Sequence, residues 1–149
     1  MKHLKTYPVF EAELGWKEWC SVPGVGGFVA KLDTGNGTKA SSLGVDQWSL
    51  EGDQVRWCCG DRERVDPIQD WSQARVGSTV DRRPVILLDL ELGPHRLEGV
   101  PIALADRAGK EAQLLINREL LSRLGATVSP SQEFTLGAGQ SRSGRDSNP

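Results

Sequence analysis

The segment Pro84–Leu92, PVILLDLEL, constrains this chain more than any other stretch. In an extended strand Val85, Leu87, Asp89 and Glu91 fall on one face, and Ile86, Leu88, Leu90 and Leu92 on the other. Period two sends alternate side chains to opposite sides of a sheet, so one face can be buried while the other meets water. Gly93-Pro94-His95 then turns the chain, and Arg96–Asp106 returns as the expected hairpin partner. Shorter runs read as further strands: Trp16–Val22, Phe28–Leu32, Gln54–Cys59, Leu114–Ile116 and Thr127–Leu136, with one more expected around Tyr7–Phe10. Most of the 17 glycines lie between such runs, as tight turns require. The expected class is therefore all-β. One short C-terminal helix is expected over Arg118–Leu124, with Asn117 as its N-cap and Gly125 as its stop.

A length of 149 residues points to one domain with a single modest core. Residues 1–136 are expected to form it, with 1–14 as an N-terminal arm. From Gly137 the sequence GAGQSRSGRDSNP is too polar and too rich in Gly and Ser to bury much surface, so 137–149 reads as a flexible tail. A net charge of −2 lacks the basic excess that general nucleic-acid binding needs. No apolar run is long enough to span a bilayer, and the N-terminus lacks the apolar core of a signal peptide. Three cysteines, two of them adjacent, make a poor disulfide framework, so reduced thiols and a cytoplasmic location are expected. His3 and His95 lie on an arm and a turn without ligand spacing, so neither metal nor cofactor is expected. Carboxylates, hydroxyls and arginines remain as the reactive groups.

The sharpest local feature is Asp33-Thr34-Gly35 at the end of the Phe28–Leu32 run. A strand running into a tight Gly turn holds a carboxylate in one place with backbone amides around it. Such a carboxylate can share a proton with a second one, since like charges a few ångströms apart do not both ionise cheaply. The ionised member takes a proton from water and the protonated member polarises a carbonyl. An ordinary β-turn uses the same residue types, so the tripeptide alone leaves both readings open.

Two later segments add to it. AKLDTGNGTKASSL, RVGSTVDRRPVILLDLEL and LADRAGKEAQLLINRELL occur in that order. Together they resemble the retropepsin-like aspartic peptidases formerly labelled ATP-dependent zinc proteases, which are found with RimK-type ligases. The resemblance runs from about Gly15 to Leu136. It implies a retropepsin-like closed β-barrel with Asp33 as the catalytic residue, and Thr34, Gly35 and Asn36 supporting the active-site loop. It implies that Gly77, Ser78, Thr79, Val80, Asp81, Arg82 and Arg83 form a flap over the substrate, with Asn117 beneath the loop. Each chain would hold one aspartate, so a homodimer would complete the site, as twofold symmetry allows.

The sequence departs from the family pattern at two places. Asn36 stands where the family has Ala, and Asn117 where it has Gly. Asn36 is of a type that can donate a hydrogen bond to Asp33, and a side chain at Asn117 must be accommodated under the loop. Lys39, Arg75, Arg82, Arg83, Arg107 and Arg118 all lie in the matched segments. They read either as solvated surface charges or as a basic rim drawing in an acidic peptide or protein. The ligase association suggests glutamate-rich peptides or tails. The alternative to an aspartic endopeptidase is a peptide-binding or interaction module on the same fold that cleaves nothing.

Overall fold

The structure is a computed structural model, and it describes residues 6–11 and 13–137. The chain is all-β with one short helix. In order the elements are β1 (Leu14–Val22), β2 (Gly26–Leu32), β3 (Ser41–Gly44), β4 (Gln47–Glu51), β5 (Gln54–Cys59), β6 (Arg62–Pro67), β7 (Asp70–Val76), β8 (Thr79–Leu92), β9 (His95–Ala105), β10 (Leu114–Ile116), α1 (Arg118–Arg123) and β11 (Val128–Glu133).

The expected hairpin is the centre of the fold. β8 and β9 pair antiparallel from Val85↔Ala103 to Leu92↔His95, and Ile86, Leu88, Leu90 and Leu92 are buried as the alternation requires. An irregularity between Leu88 and Leu90 leaves Asp89 free to accept the Gly99 amide at 2.9 Å, while Arg96 bridges Asp89 and Glu91 across the hairpin. A bulge of this kind bends a strand and re-aims one side chain.

Eight strands form one sheet in the order β11-β1-β2-β10-β3-β9-β8-β7, and β4-β5-β6 form a second. β8 also meets β1 through Cys20↔Leu92 and Ser21↔Glu91. The strands thus fall into two sheets rather than one closed barrel, and the larger sheet touches itself over two residue pairs only. One apolar core runs through both sheets, including Leu14, Leu43, Val55, Trp57, Ile86 and Leu104. Within it, burial pushes the Cys20 thiol up to about 12, so this cysteine stays a protonated core residue.

Where β1 meets β11 in parallel, a Cβ on Gly15 would stand 2.5 Å from the Gln132 carbonyl oxygen. Only glycine allows that approach. The expected strand at Tyr7–Phe10 is not formed. Tyr7 and Phe10 are buried instead by docking on the helix end, while Val9 between them stays exposed: the Phe10 amide donates to the Leu124 carbonyl at 2.9 Å, Phe10 packs on His95, and Arg123 covers Tyr7. His95 is accordingly a half-buried packing residue as well as a turn residue. His3 and residues 138–149 of the expected tail lie outside the described residues. Among the described residues, no helix is long and apolar enough to cross a membrane.

Candidate active site

Two strand ends and the start of α1 hold the loop that carries Asp33. β2 and β10 run parallel, Leu32 opposite Ile116, so their C-terminal ends lie side by side. Asp33 leaves β2 with its amide donating to the Ile116 carbonyl at 2.9 Å, and the Arg118 amide donates to the Asn36 carbonyl at 2.9 Å. The loop is thereby fastened at both ends to the junction of β10 and α1.

Within the turn, the Asn36 amide donates to the Asp33 carbonyl at 3.1 Å and the Gly35 amide to Asp33 Oδ1 at 3.1 Å. Asp33 is half-buried, while Thr34 and Gly35 are exposed. The carboxylate is thus held by a backbone donor and open to solvent. The side chain of Asn36 turns the other way from what its residue type suggests. Its Oδ1 accepts from the Thr38 amide at 3.0 Å and the Thr38 hydroxyl at 2.5 Å. Asn36 therefore stabilises the loop's second half, and the side-chain donation to Asp33 falls to Gly35's backbone instead.

Asn117 is 2% exposed and bonds to the loop that carries Asp33. Its Oδ1 accepts from Ser41 Oγ and from the Leu120 amide, both at 3.1 Å, and its Nδ2 donates to the Thr38 carbonyl at 2.8 Å. The Ser41 hydroxyl also accepts the Asn117 amide at 3.0 Å. One side chain thus caps α1 and ties the helix to the Asp33 loop. Replacing Asn117 by Ala is expected to cost about 2–4 kcal/mol, from a lost cap and a buried carbonyl left unpaired. The melting temperature should fall by roughly 5–15 °C. A thermal scan checks this, and a fall of less than about 2 °C would mean that the network carries little.

The flap candidate is the tip of the β7–β8 hairpin, where Val76 pairs with Thr79 around Gly77 and Ser78. Gly77 has φ +61°, the left-handed conformation such a two-residue turn favours in glycine. Gly77, Ser78, Thr79, Val80 and Arg82 are exposed, and Asp81 and Arg83 are half-buried. The base of this hairpin is joined to the Asp33 loop: Lys39 Nζ lies 3.2 Å from an Asp70 carboxylate oxygen and donates to the Trp71 carbonyl at 3.1 Å. Trp71 is covered by Arg82 on the hairpin and packs edge-on against Trp48 of the second sheet.

The basic residues therefore divide. Lys39 and Arg82 are engaged as just described, and Arg83 pairs with Asp81 at 2.9 Å. Arg118 lies against Gly37 in the loop. Arg107 is half-buried after β9; burial, and after it the like charge of Arg83, lower its pKa, with Asp33 acting in the opposite direction. Sequence reading placed Arg107 on a rim without linking it to Asp33; it missed Ser41 and Thr38, which join the loop to α1. Among the described residues, no group of three or more His, Cys, Asp or Glu side chains is placed to hold a metal ion.

No protein-family model matches the chain, and no curated protein does. A crystal structure of a Legionella pneumophila protein of unknown function (DUF785) is similar to it: 22% identity, a TM-score of 0.69, 85% of this chain covered and 99% of that one. At that identity the likeness shows the fold alone.

Proposed function

We propose that the protein is a retropepsin-like aspartic endopeptidase that works as a homodimer, each subunit supplying one Asp33. The observation that carries this reading is the setting of Asp33: a half-buried carboxylate at a strand end, held by the Gly35 amide in a turn fastened to β10 and α1. The exposed β7–β8 hairpin, whose base is bonded to the same loop through Lys39, supports a flap role. The contact between β1 and β8 supports a retropepsin-like, barrel-like curl of the larger sheet.

In the proposed reaction, the ionised Asp33 takes a proton from water as its oxygen bonds to the peptide carbonyl carbon. The protonated Asp33 of the other subunit gives its proton to the carbonyl oxygen. Collapse of the tetrahedral species breaks the C–N bond: the first Asp33 passes the proton it took from water to the leaving amine, and the second takes back a hydroxyl proton as the carbonyl re-forms. The substrate is a peptide or protein.

The test compares wild-type protein with Asp33→Asn on a peptide library. Cleavage is expected to fall by at least about 100-fold in the variant, the scale of losing a general acid–base group. Equal cleavage by both proteins would refute the aspartic mechanism. A second reading is a peptide-binding module that cleaves nothing. It is favoured by Arg107, which gives Asp33 a counter-charge within a single chain.

A further inference from the structure

We propose that Lys39 is a positioning residue that latches the β7–β8 hairpin to the Asp33 loop, and that the hairpin swings about Trp71 when this latch releases. The inference rests on reading the hairpin as a lid over Asp33, though not on cleavage taking place beneath it.

The latch closes a ring of contacts at the hairpin base. Asp70 pairs with Val85, and the Gln69 amide donates to the Val85 carbonyl at 2.8 Å. Val85 is buried with Ala103 of β9 and with Ala40, the residue after Lys39. That small cluster sets the root of Lys39 beside the strand pair that carries Asp70. The Lys39 ammonium completes the ring, 3.2 Å from an Asp70 carboxylate oxygen and donating to the Trp71 carbonyl at 3.1 Å.

The next rung is where the hairpin can bend. Pro84 stands opposite Trp71 and has no N–H to give to β7, while the Trp71 amide donates to Asp70 Oδ1 at 2.7 Å. Toward the tip, Gln73, Arg75 and residues 77–80 are exposed, and a segment with few buried contacts opens at low cost. The Trp71 ring stands between what would move and what would not. The Arg82 guanidinium carbon, on the tip side, lies 4.2 Å from the ring centre, and Trp48 of the second sheet meets the ring edge-on at 6.1 Å. The side chains of Lys39 and Asp70 are each 54% exposed. An exposed ion pair is weak and screened by salt, which suits a contact that must release as well as hold.

Hydrogen exchange on the full-length protein tests this. Lys39→Met keeps most of the stem and removes the charge. Amides of residues 72–83 should then exchange about two- to fivefold faster than in wild type, the scale of one exposed ion pair, while those of α1 and of residues 86–102 keep their rates. Lys39→Arg should restore most of the protection. Raising the salt to about 1 M should speed exchange in the wild-type hairpin and leave the Met variant unaffected. If Lys39→Met does not fold, the salt response of the wild-type hairpin decides. Hairpin exchange unchanged in Lys39→Met, acceleration spread evenly over the chain, or a wild-type hairpin indifferent to salt would overturn the proposal. If Asp33→Asn abolishes cleavage while the hairpin ignores Lys39, the latch falls and the peptidase reading stands. If the latch is found in a protein that cleaves nothing, the peptidase reading falls and the latch stands.

Discussion

Glu18→Ala is expected to lower the melting temperature by roughly 10–20 °C, the largest loss of stability from any single side chain considered. Glu18 is fully buried, and four donors converge on its two oxygens. The Gly15 amide lies at 2.6 Å, the Thr135 hydroxyl at 2.7 Å, the Thr135 amide at 3.1 Å and the Leu136 amide at 3.2 Å. Truncation would leave three backbone N–H groups without this acceptor, the Gly15 amide in a buried position and those of Thr135 and Leu136 in partly buried ones. That costs about 3–5 kcal/mol by the usual scale of unsatisfied buried donors. Glu18→Gln keeps the shape but turns an NH2 group toward N–H donors, so it should recover only part of the loss. Differential scanning calorimetry on the three proteins checks this. A shift below about 2 °C for Glu18→Ala would mean that water or rearrangement replaces the carboxylate.

Glu18 matters to the candidate site through chain connectivity. It pins the segment after β11 to β1, and β1 in turn pairs with β2, whose end delivers Asp33. Nothing in the sequence marks it. A glutamate in a strand reads as a solvent-facing residue, and three of its four donors stand 117 or 118 positions away.

The same contrast runs through the fold. β5, β8, β9 and β10 were legible because their apolar alternation or bounding turns are local facts. The helix was legible because Asn117 and Gly125 bracket it. By contrast, β3 is SSLG, with no bulky residue beyond Leu43, and all four positions are buried. It becomes a strand because β9 and β10 flank it and satisfy its backbone, a tertiary effect that propensity does not carry. β6, with the sequence RERVDP, reads as a polar linker and forms a strand at the edge of the small sheet. The Tyr7–Phe10 run errs in the other direction, since Tyr7 and Phe10 are buried without any ladder.

For the site, the turn that carries Asp33 at the end of the Phe28–Leu32 run, and Asn117 as the cap of α1, could be read from the chain. The orientation of Asn36 toward Thr38, and the hold of Asn117 on Ser41 and Thr38, could not. Both are set by where a side chain points after distant strands have paired.

The activity of mixed dimers tests the central proposal, that one catalytic site needs an Asp33 from each of two chains. Wild-type and Asp33→Asn chains, refolded together in equal amounts, should pair at random, so that about one quarter of the dimers carry both carboxylates. The proposed mechanism therefore predicts about one quarter of the activity of the same total amount of wild-type protein. An activity of about one half would mean that each chain holds a complete site, and would contradict it.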